Sequence, residues 1–283
     1  MHGDAPPTLT TPEDIAAAVD ALRAGEVIGL PTETVYGLAA DASNPEAVRR
    51  IFAIKGRPAN HPVIVHIASA ADAASWAREF PPVARALAGS FWPGPLTLVL
   101  PRAPSVPLDV TGGQDTVALR VPSHPVAQAV LTAFGGGLAA PSANRYGRVS
   151  PTTAAHVRAD LGDAVRIVLD GGPSEVGLES TIVACLDGRV TILRPGQIDA
   201  DAIAAVTGPL TDASPAAPRV PGSVVSHYAP RTPVHVVAPD QLDAALASHV
   251  AAGRRVAVMA PVRPHGIEPA ALVAVRPSSL QVD

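Results

Sequence analysis

Cysteine is almost absent from this sequence. Cys185 is the only one in 283 residues, which excludes intrachain disulfides, zinc ribbons and iron–sulfur clusters and suits a reducing compartment. It stands in the apolar run Thr-Ile-Val-Ala-Cys-Leu, the setting of a buried structural thiol rather than a nucleophile. Aromatic residues are scarce at 3%, so a core has to be built from Ala, Val, Leu and Ile. A global positive field is missing too: the formal net charge is −4 and the isoelectric point about 6.1, which argues against nonspecific binding of nucleic acid, tRNA included. The opening residues Met-His-Gly-Asp-Ala-Pro-Pro offer neither a basic n-region nor an apolar h-region, so no secretory leader is expected. No apolar stretch reaches the ~20 residues of a spanning helix. The chain also lacks G-x-x-x-x-G-K-[ST], a G-x-G-x-x-G after a strand, H-E-x-x-H and G-x-S-x-G, which removes the Walker and Rossmann phosphate loops, zinc proteases and α/β-hydrolases.

What is present reads as a folded α/β chain. Hydrophobic residues make up 47% with mean hydropathy +0.25, enough for one large core and a small second one. Thr11 is placed to cap a helix that starts at Pro12 and carries Ile15, Val19 and Leu22 on one stripe up to Gly25. A buried strand over Val27–Leu30 follows, and Asn44-Pro45 starts a second helix through Val48, Ile51 and Phe52. Further strands are expected at Val63–Ile67, Leu96–Leu100, Val117–Val121, Ile167–Leu169, Thr181–Ala184 and Val190–Leu193, with helical patterns between several of them. Asp187-Gly188 joins the last two as a hairpin, so the sheet is expected to be mixed. Residues 1–207 therefore read as one domain with an open, twisted mixed sheet and flanking helices. Residues 208–233 turn to Pro, Ser, Ala and Gly with little periodicity and read as a linker. A small α/β tail over 234–283 follows: strand Val234–Val237, helix Gln241–Ala252, strand Arg255–Met259 and a weaker strand near Leu272–Val275.

Two segments carry the chemistry, LPTETVYGLAADASNPEAVRRIFAIKGRP at 30–58 and APSANRYGRVSPT at 140–152. Taken alone, Lys-Gly-Arg-Pro is an ordinary helix end, with cations suited to the helix dipole and Gly then Pro stopping the helix. Together, Lys55 and Arg57 at a helix terminus and Ser142, Asn144, Arg148 and Ser150 on a loop read as a site for a polyanion and a small polar ligand. Pro31-Thr32-Glu33-Thr34 adds hydroxyls at a strand's carboxyl end, where open α/β sheets bind ligands.

From about residue 12 to about residue 230 the chain resembles the YrdC/TsaC-type family of threonylcarbamoyl-AMP synthases. The resemblance lies in ordered blocks: PTETVYGL at 31–38, KGRP at 55–58, HPVIVHI at 61–67, FWPGPLTLVL at 91–100, VALRVPSH at 117–124, APSAN at 140–144, ESTIV at 179–183, LRPG at 193–196 and HYAP at 227–230. The last block resembles the longer branch of the family, which carries a C-terminal extension. The resemblance implies a cytoplasmic nucleotidyltransferase that joins L-threonine, bicarbonate and ATP into threonylcarbamoyl-AMP and pyrophosphate, with a separate tRNA-modifying complex using the product. It also implies site residues: Lys55 and Arg57 for catalysis, and Arg57, His61, Thr116, Ser142, Asn144, Ser150, Arg194 and Tyr228 for ATP. His61 stands where many relatives have Asn. For threonine the resemblance implies Thr34, His66, Arg120, the Ala140 carbonyl and Ser180, with Thr32, Tyr36 and Thr181 behind them. Magnesium would arrive on the nucleotide, with Glu33 and Glu179 helping only indirectly. Within the linker, the segment from about Pro221 to Arg231, with Tyr228 and His227, is expected to fold across the mouth of the cleft. Two other readings stay open at this point: a ribosome-associated or RNA-binding protein of the same fold without catalysis, and the carbamoyl-transfer domain of hydrogenase maturation factors. The latter carry acylphosphatase and cysteine-rich zinc regions that a single-cysteine chain lacks.

Overall fold

In a computed structural model of the chain, described here for residues 10–214, 216–222, 229–230, 232–259 and the backbone of 272–276, the first helix, α1 (Pro12–Arg23), is fixed by a capping box. Thr11 Oγ1 accepts from the Asp14 amide, and Asp14 Oδ2 accepts from the Thr11 amide. Its buried stripe of Ala18, Val19, Ala21 and Leu22 packs beside β1 (Ile28–Leu30). The chain then turns into β2 (Gly37–Asp41) and α2 (Pro45–Lys55), the latter capped by Asn44 and closed by Gly56 in the left-handed region at φ 63°. Val48, Ile51 and Phe52 of α2 are buried, each worth about 1.5–3 kcal/mol of apolar transfer. There follow β3 (Ile64–His66), α3 (Pro82–Phe91), β4 (Leu96–Pro101), α4 (Leu108–Thr111), β5 (Thr116–Arg120), α5 (Pro125–Phe134), β6 (Leu138–Ala139), α6 (Ala154–Leu161), β7 (Ile167–Val168), β8 (Thr181–Leu186), β9 (Arg189–Arg194) and α7 (Ala200–Thr207).

The nine strands form one sheet in the order β7-β1-β2-β6-β3-β5-β4-β8-β9. The sheet is mixed, as the Asp187-Gly188 hairpin requires. β3–β5, β4–β8 and β1–β7 run parallel, whereas β4–β5 and β8–β9 run antiparallel. The hairpin forms between β8 and β9 with both turn residues at positive φ, 50° and 73°. The short strands β2 and β6 were not apparent in the sequence because Gly-Leu-Ala-Ala-Asp and Leu-Ala carry little β-propensity. They form because tertiary pairing supplies what local preference does not.

Side-chain alternation divides the central strands. Val63, Val65, Leu96, Leu98, Val117 and Leu119 enter the main core with α2 and α3, while Ile64, Val99, Ala118, Ile182 and Ala184 face the other way and are covered in part by Val220. That second face lies under the site. Cys185 is buried in the main core, and burial pushes its thiol up to about 12.

The chain divides into two compact units at Ala229/Pro230. In the second unit α8 (Leu242–Ala251) packs Leu246 against Val258 of β10 (Val256–Met259), which pairs in parallel with β11 (Leu272–Arg276). The strand expected at Val234–Val237 is not formed: Val234 and Val236 are 70% and 96% exposed. β-branched residues give strand propensity but not a partner, and this run, bounded by Pro233 and Pro239, finds none among the described residues.

Candidate active site

The site grows from the turn after β1. Thr32 Oγ1 donates to the Val35 carbonyl at 2.6 Å, accepts from its amide and lies 2.9 Å from Thr34 Oγ1, so a single side chain fixes the turn. Thr34 is thereby aimed at the carboxyl ends of β3 and β5, where His66 and Arg120 are paired residues of parallel strands. Arg120 is 3% exposed. Its Nη1 donates to Thr34 Oγ1 at 2.8 Å and its Nε to the Gly94 carbonyl at 3.2 Å, while Nη2 lies 2.7 Å from Glu33 Oε1. Burial, followed by the charge of Arg120, lowers His66 to about 3, so its imidazole is neutral. Its Nδ1 has no hydrogen-bond partner among the described residues.

A second group of side chains is cationic. Lys55 is the last residue of α2 and lies behind the cleft wall rather than on it, whereas Gly56 turns the chain so that Arg57 lines the cleft. Lys55 is 3% exposed and donates to the carbonyls of Ser142 and Asn144. Burial, and next the charge of Arg57, bring it down to about 7, with Glu179 and Asp160 opposing. Arg57 Nη2 donates to the Pro62 carbonyl at 2.6 Å. Arg194, at the end of β9, donates to Ser180 and to the Pro221 carbonyl. Gly196 lets this strand end approach: a Cβ there would lie 2.5 Å from the Thr181 amide nitrogen and 2.6 Å from the Glu179 carbonyl.

The 140–150 loop closes the side between the groups. Asn144 Nδ2 donates to the carbonyls of Arg145 and Arg148, Asp160 holds the Arg145 amide and the Arg148 side chain, and the Tyr146 amide donates to the Lys55 carbonyl. Ser150 Oγ donates to Glu179 Oε1 at 2.7 Å.

A cleft is lined by Thr32, Thr34, His66, Arg120 and Ala140 in one group and Arg57, Ser142, Glu179, Arg194 and Pro221 in the other. Other expected residues lie around it. Ser180 is fully buried, with its hydroxyl 2.7 Å from that of Thr97. Thr116 starts β5 and shares a face with Ala118 and Arg120, roughly 13 Å along the strand from Arg120. His61 meets Tyr146 edge-on with ring centroids 5.6 Å apart; burial, then Arg57 and Arg219, lower its pKa. Thr181 and Tyr36 have structural partners: Thr181 is bound to Ile198, and the Tyr36 hydroxyl donates to the Gly172 carbonyl. Tyr228 and His227 fall outside the described residues.

The sequence placed the chain from about Pro221 over the cleft but gave no role to Arg219 and Val220 just before it. Val220 is buried on the sheet, Arg219 is tied to Gln114 and Gly112, and the Pro221 carbonyl meets Arg194. The cue was a lone Val among prolines.

This arrangement matches known proteins over most of its length. The Sua5/YciO/YrdC family model, described as telomere recombination, matches residues 20–196. The chain belongs to that family. A model described as threonylcarbamoyl-AMP synthase, C-terminal domain, matches residues 198–279. The threonylcarbamoyl-AMP synthase of Bacillus subtilis is 42% identical over 259 residues, covering 88% of this chain and 75% of the relative. That of Pyrococcus abyssi is 43% identical over 229 residues, covering 79% and 67%. The crystal structure of P. abyssi Sua5 complexed with L-threonine superposes with a TM-score of 0.85 at 38% identity, covering 92% of this chain and 79% of that one. The mixed YrdC-like sheet is thus the fold of this family. No described helix is long and apolar enough to cross a membrane.

Proposed function

We propose that this chain is an L-threonylcarbamoyladenylate synthase, a nucleotidyltransferase that forms threonylcarbamoyl-AMP and pyrophosphate from L-threonine, bicarbonate and ATP. The observation that carries the reading is the pairing of two unlike anion sites in one cleft: Arg120, charge-balanced by Glu33 beside a neutral His66, and Arg57 with Arg194, which share their wall with Glu179. The first suits the carboxylate of an amino acid. The second suits a triphosphate.

In this reading the threonine amine forms a carbamate with the carbon of bicarbonate, releasing water, and a carbamate oxygen then attacks the α-phosphate. The bond between the α-phosphorus and its bridging oxygen breaks and pyrophosphate leaves. Arg120 takes the threonine carboxylate through a two-pronged contact, with Thr34, His66, the Ala140 carbonyl and Ser180 around the rest of the amino acid. Lys55, Arg57 and Arg194 stabilise the charge that moves onto the departing pyrophosphate, because phosphoryl-type transfer depends on alignment and electrostatics. Ser142, Asn144, Ser150, His61 and Thr116 serve the nucleotide. Lys55 also holds the 142–144 backbone, so its charge and the shape of the nucleotide wall are set by the same contacts.

Magnesium enters as part of the nucleotide substrate. Among the described residues no cluster of three or more His, Cys, Asp or Glu side chains could hold an ion, and Glu179, hydrogen-bonded by Ser150, is the carboxylate that lines the cleft. A cytoplasmic setting and transfer of the product to tRNA by a separate complex complete the reading. Pyrophosphate release with ATP and bicarbonate, measured with and without threonine, tests it. Release that requires threonine, with the adenylate seen by mass spectrometry, is the expected result. A non-catalytic RNA-binding protein of this fold releases none in either arm.

A further inference from the structure

The chemistry above gives Glu33 no step, yet Glu33 is 4% exposed and lies 2.7 Å from Arg120 Nη2. Neither of its carboxylate oxygens has a hydrogen-bond partner among the described residues, and Arg120 Nη2 has none either, so the two charges meet without a fitted hydrogen bond. The rest of the guanidinium is fixed by Gly94 and Thr34. Thr32, Thr34 and Arg120 line the cleft but Glu33 does not. It approaches Arg120 from the protein side and leaves hydrogens of the guanidinium for a ligand.

An uncompensated guanidinium in so dry a site attracts any small anion, and the reaction surrounds it with bicarbonate, pyrophosphate and nucleotide. Specificity against them needs a repulsive or neutralising element as well as an attractive one. His66 supplies no charge there, since its imidazole is neutral. With Glu33 behind Arg120 the pocket carries an oriented ion pair and no net charge, which complements a ligand that is itself a neutral dipole. We propose that Glu33 is a positioning residue that makes this half of the cleft select a zwitterionic amino acid over a free anion, by neutralising Arg120 and holding its plane toward the ligand. This inference rests on the amino-acid reading of the Arg120 pocket.

The discriminating probe is 3-hydroxybutyrate, which keeps the carboxylate, hydroxyl and methyl of threonine but lacks the ammonium and so carries a net negative charge. Calorimetry of threonine and 3-hydroxybutyrate on wild type and Glu33→Gln measures the selectivity without turnover. In Glu33→Gln the preference for threonine is expected to fall at least about tenfold, with the threonine KM rising by a similar factor and the ATP KM staying within about twofold. Glu33→Asp keeps the charge and is expected to restore most of the preference. A folded Glu33→Gln with wild-type preference overturns the proposal, as does one in which the affinities for threonine, 3-hydroxybutyrate and ATP fall together. If Glu33→Gln does not fold, Glu33→Ser, which removes the charge and leaves room for water beside Arg120, takes its place. Loss of preference in it is expected, and wild-type preference is fatal to the idea. A wild type that binds threonine selectively but releases no pyrophosphate sinks the reaction and leaves the Glu33 proposal standing.

Discussion

Lys55 and Asn144, 89 residues apart, are joined by a 2.6 Å hydrogen bond from the ammonium to the backbone carbonyl. Lys55 is also the only lysine in the sequence. Burial brings it to about 7, so in the free protein at pH 8 it is largely neutral. A triphosphate beside it favours the charged form and raises the pKa, and binding above pH 7 therefore takes up a proton. The sign follows: ATP affinity falls as pH rises from 7.5 to 9, by no more than about tenfold per pH unit for one linked proton. Calorimetry across that range checks the slope. Lys55→Arg, charged throughout, is expected to flatten it.

Arg57 faces the cleft from the turn after α2 and has one guanidinium nitrogen on the Pro62 carbonyl. Losing one preorganised charge donor at a site of developing charge typically costs about 2.7–4 kcal/mol in the transition state. Arg57→Ala is accordingly expected to slow pyrophosphate release at least about tenfold in saturating substrates, with circular dichroism unchanged. Wild-type turnover in a folded variant would move the phosphate site away from Arg57.

Much of the frame was legible because local chemistry and tertiary structure agree in it. Thr11 and Asp14 cap α1, Asn44 caps α2, Asp187-Gly188 turns the β8–β9 hairpin, and alternating apolar runs give β3, β4, β5, β8 and β9. The illegible parts depend on distant partners. Gly37–Asp41 becomes a strand only against β1 and β6, and the valines at 234–237, strand-like by composition, find no strand to pair with among the described residues. At the site, spacing placed Lys55 and Arg57 at a helix end but could not show that Lys55 turns inward to backbone carbonyls. The 2.7 Å approach of Glu33 to Arg120 spans 87 positions and leaves no periodic trace.

Arg120 offers a test of the amino-acid half. Arg120→Lys keeps the charge but loses the planar fork and the contacts to Gly94 and Thr34. The threonine KM is expected to rise at least about tenfold and the ATP KM to change little, as in the loss of a contact made to one substrate. Serine, which lacks the methyl, is expected to be poorer by about 1–3 kcal/mol in kcat/KM. A variant that alters only the ATP parameters places Arg120 in the wrong half.

Gly196 is a packing constraint on the nucleotide half. A methyl there collides with backbone at 2.5–2.6 Å, on the stretch that carries Glu179 and Ser180. Backbone cannot swing aside as a side chain can, so Gly196→Ala is expected to cost about 1–3 kcal/mol of stability, the usual range for overpacking. Weaker ATP binding should accompany it, because Arg194 and Glu179 shift together. Urea unfolding and nucleotide titration of one variant check both, and an unperturbed midpoint contradicts the tight approach.

The first unit ends at Ala229, and its last stretch is tied back to the sheet and to the 140–150 loop. Val220 is buried against Ile64, Val99, Ala118, Ile182 and Ala184, the Pro221 carbonyl accepts from Arg194 Nη1 at 3.0 Å, and the Ala229 amide donates to the Gly147 carbonyl at 2.8 Å. A chain cut after Thr207 loses all three contacts. One cut after Ala229 keeps them. Burying the Val220 side chain is worth about 1.5–3 kcal/mol, and for a domain of this size each kcal/mol moves the midpoint by about 2–4 °C. The 1–207 chain is therefore expected to melt roughly 3–12 °C below the 1–229 chain in thermal scans, and to bind ATP less tightly through the altered setting of Arg194. Equal melting points with equal ATP affinity would show that residues 208–229 contribute nothing to the catalytic unit, against the contacts of Val220 and Pro221.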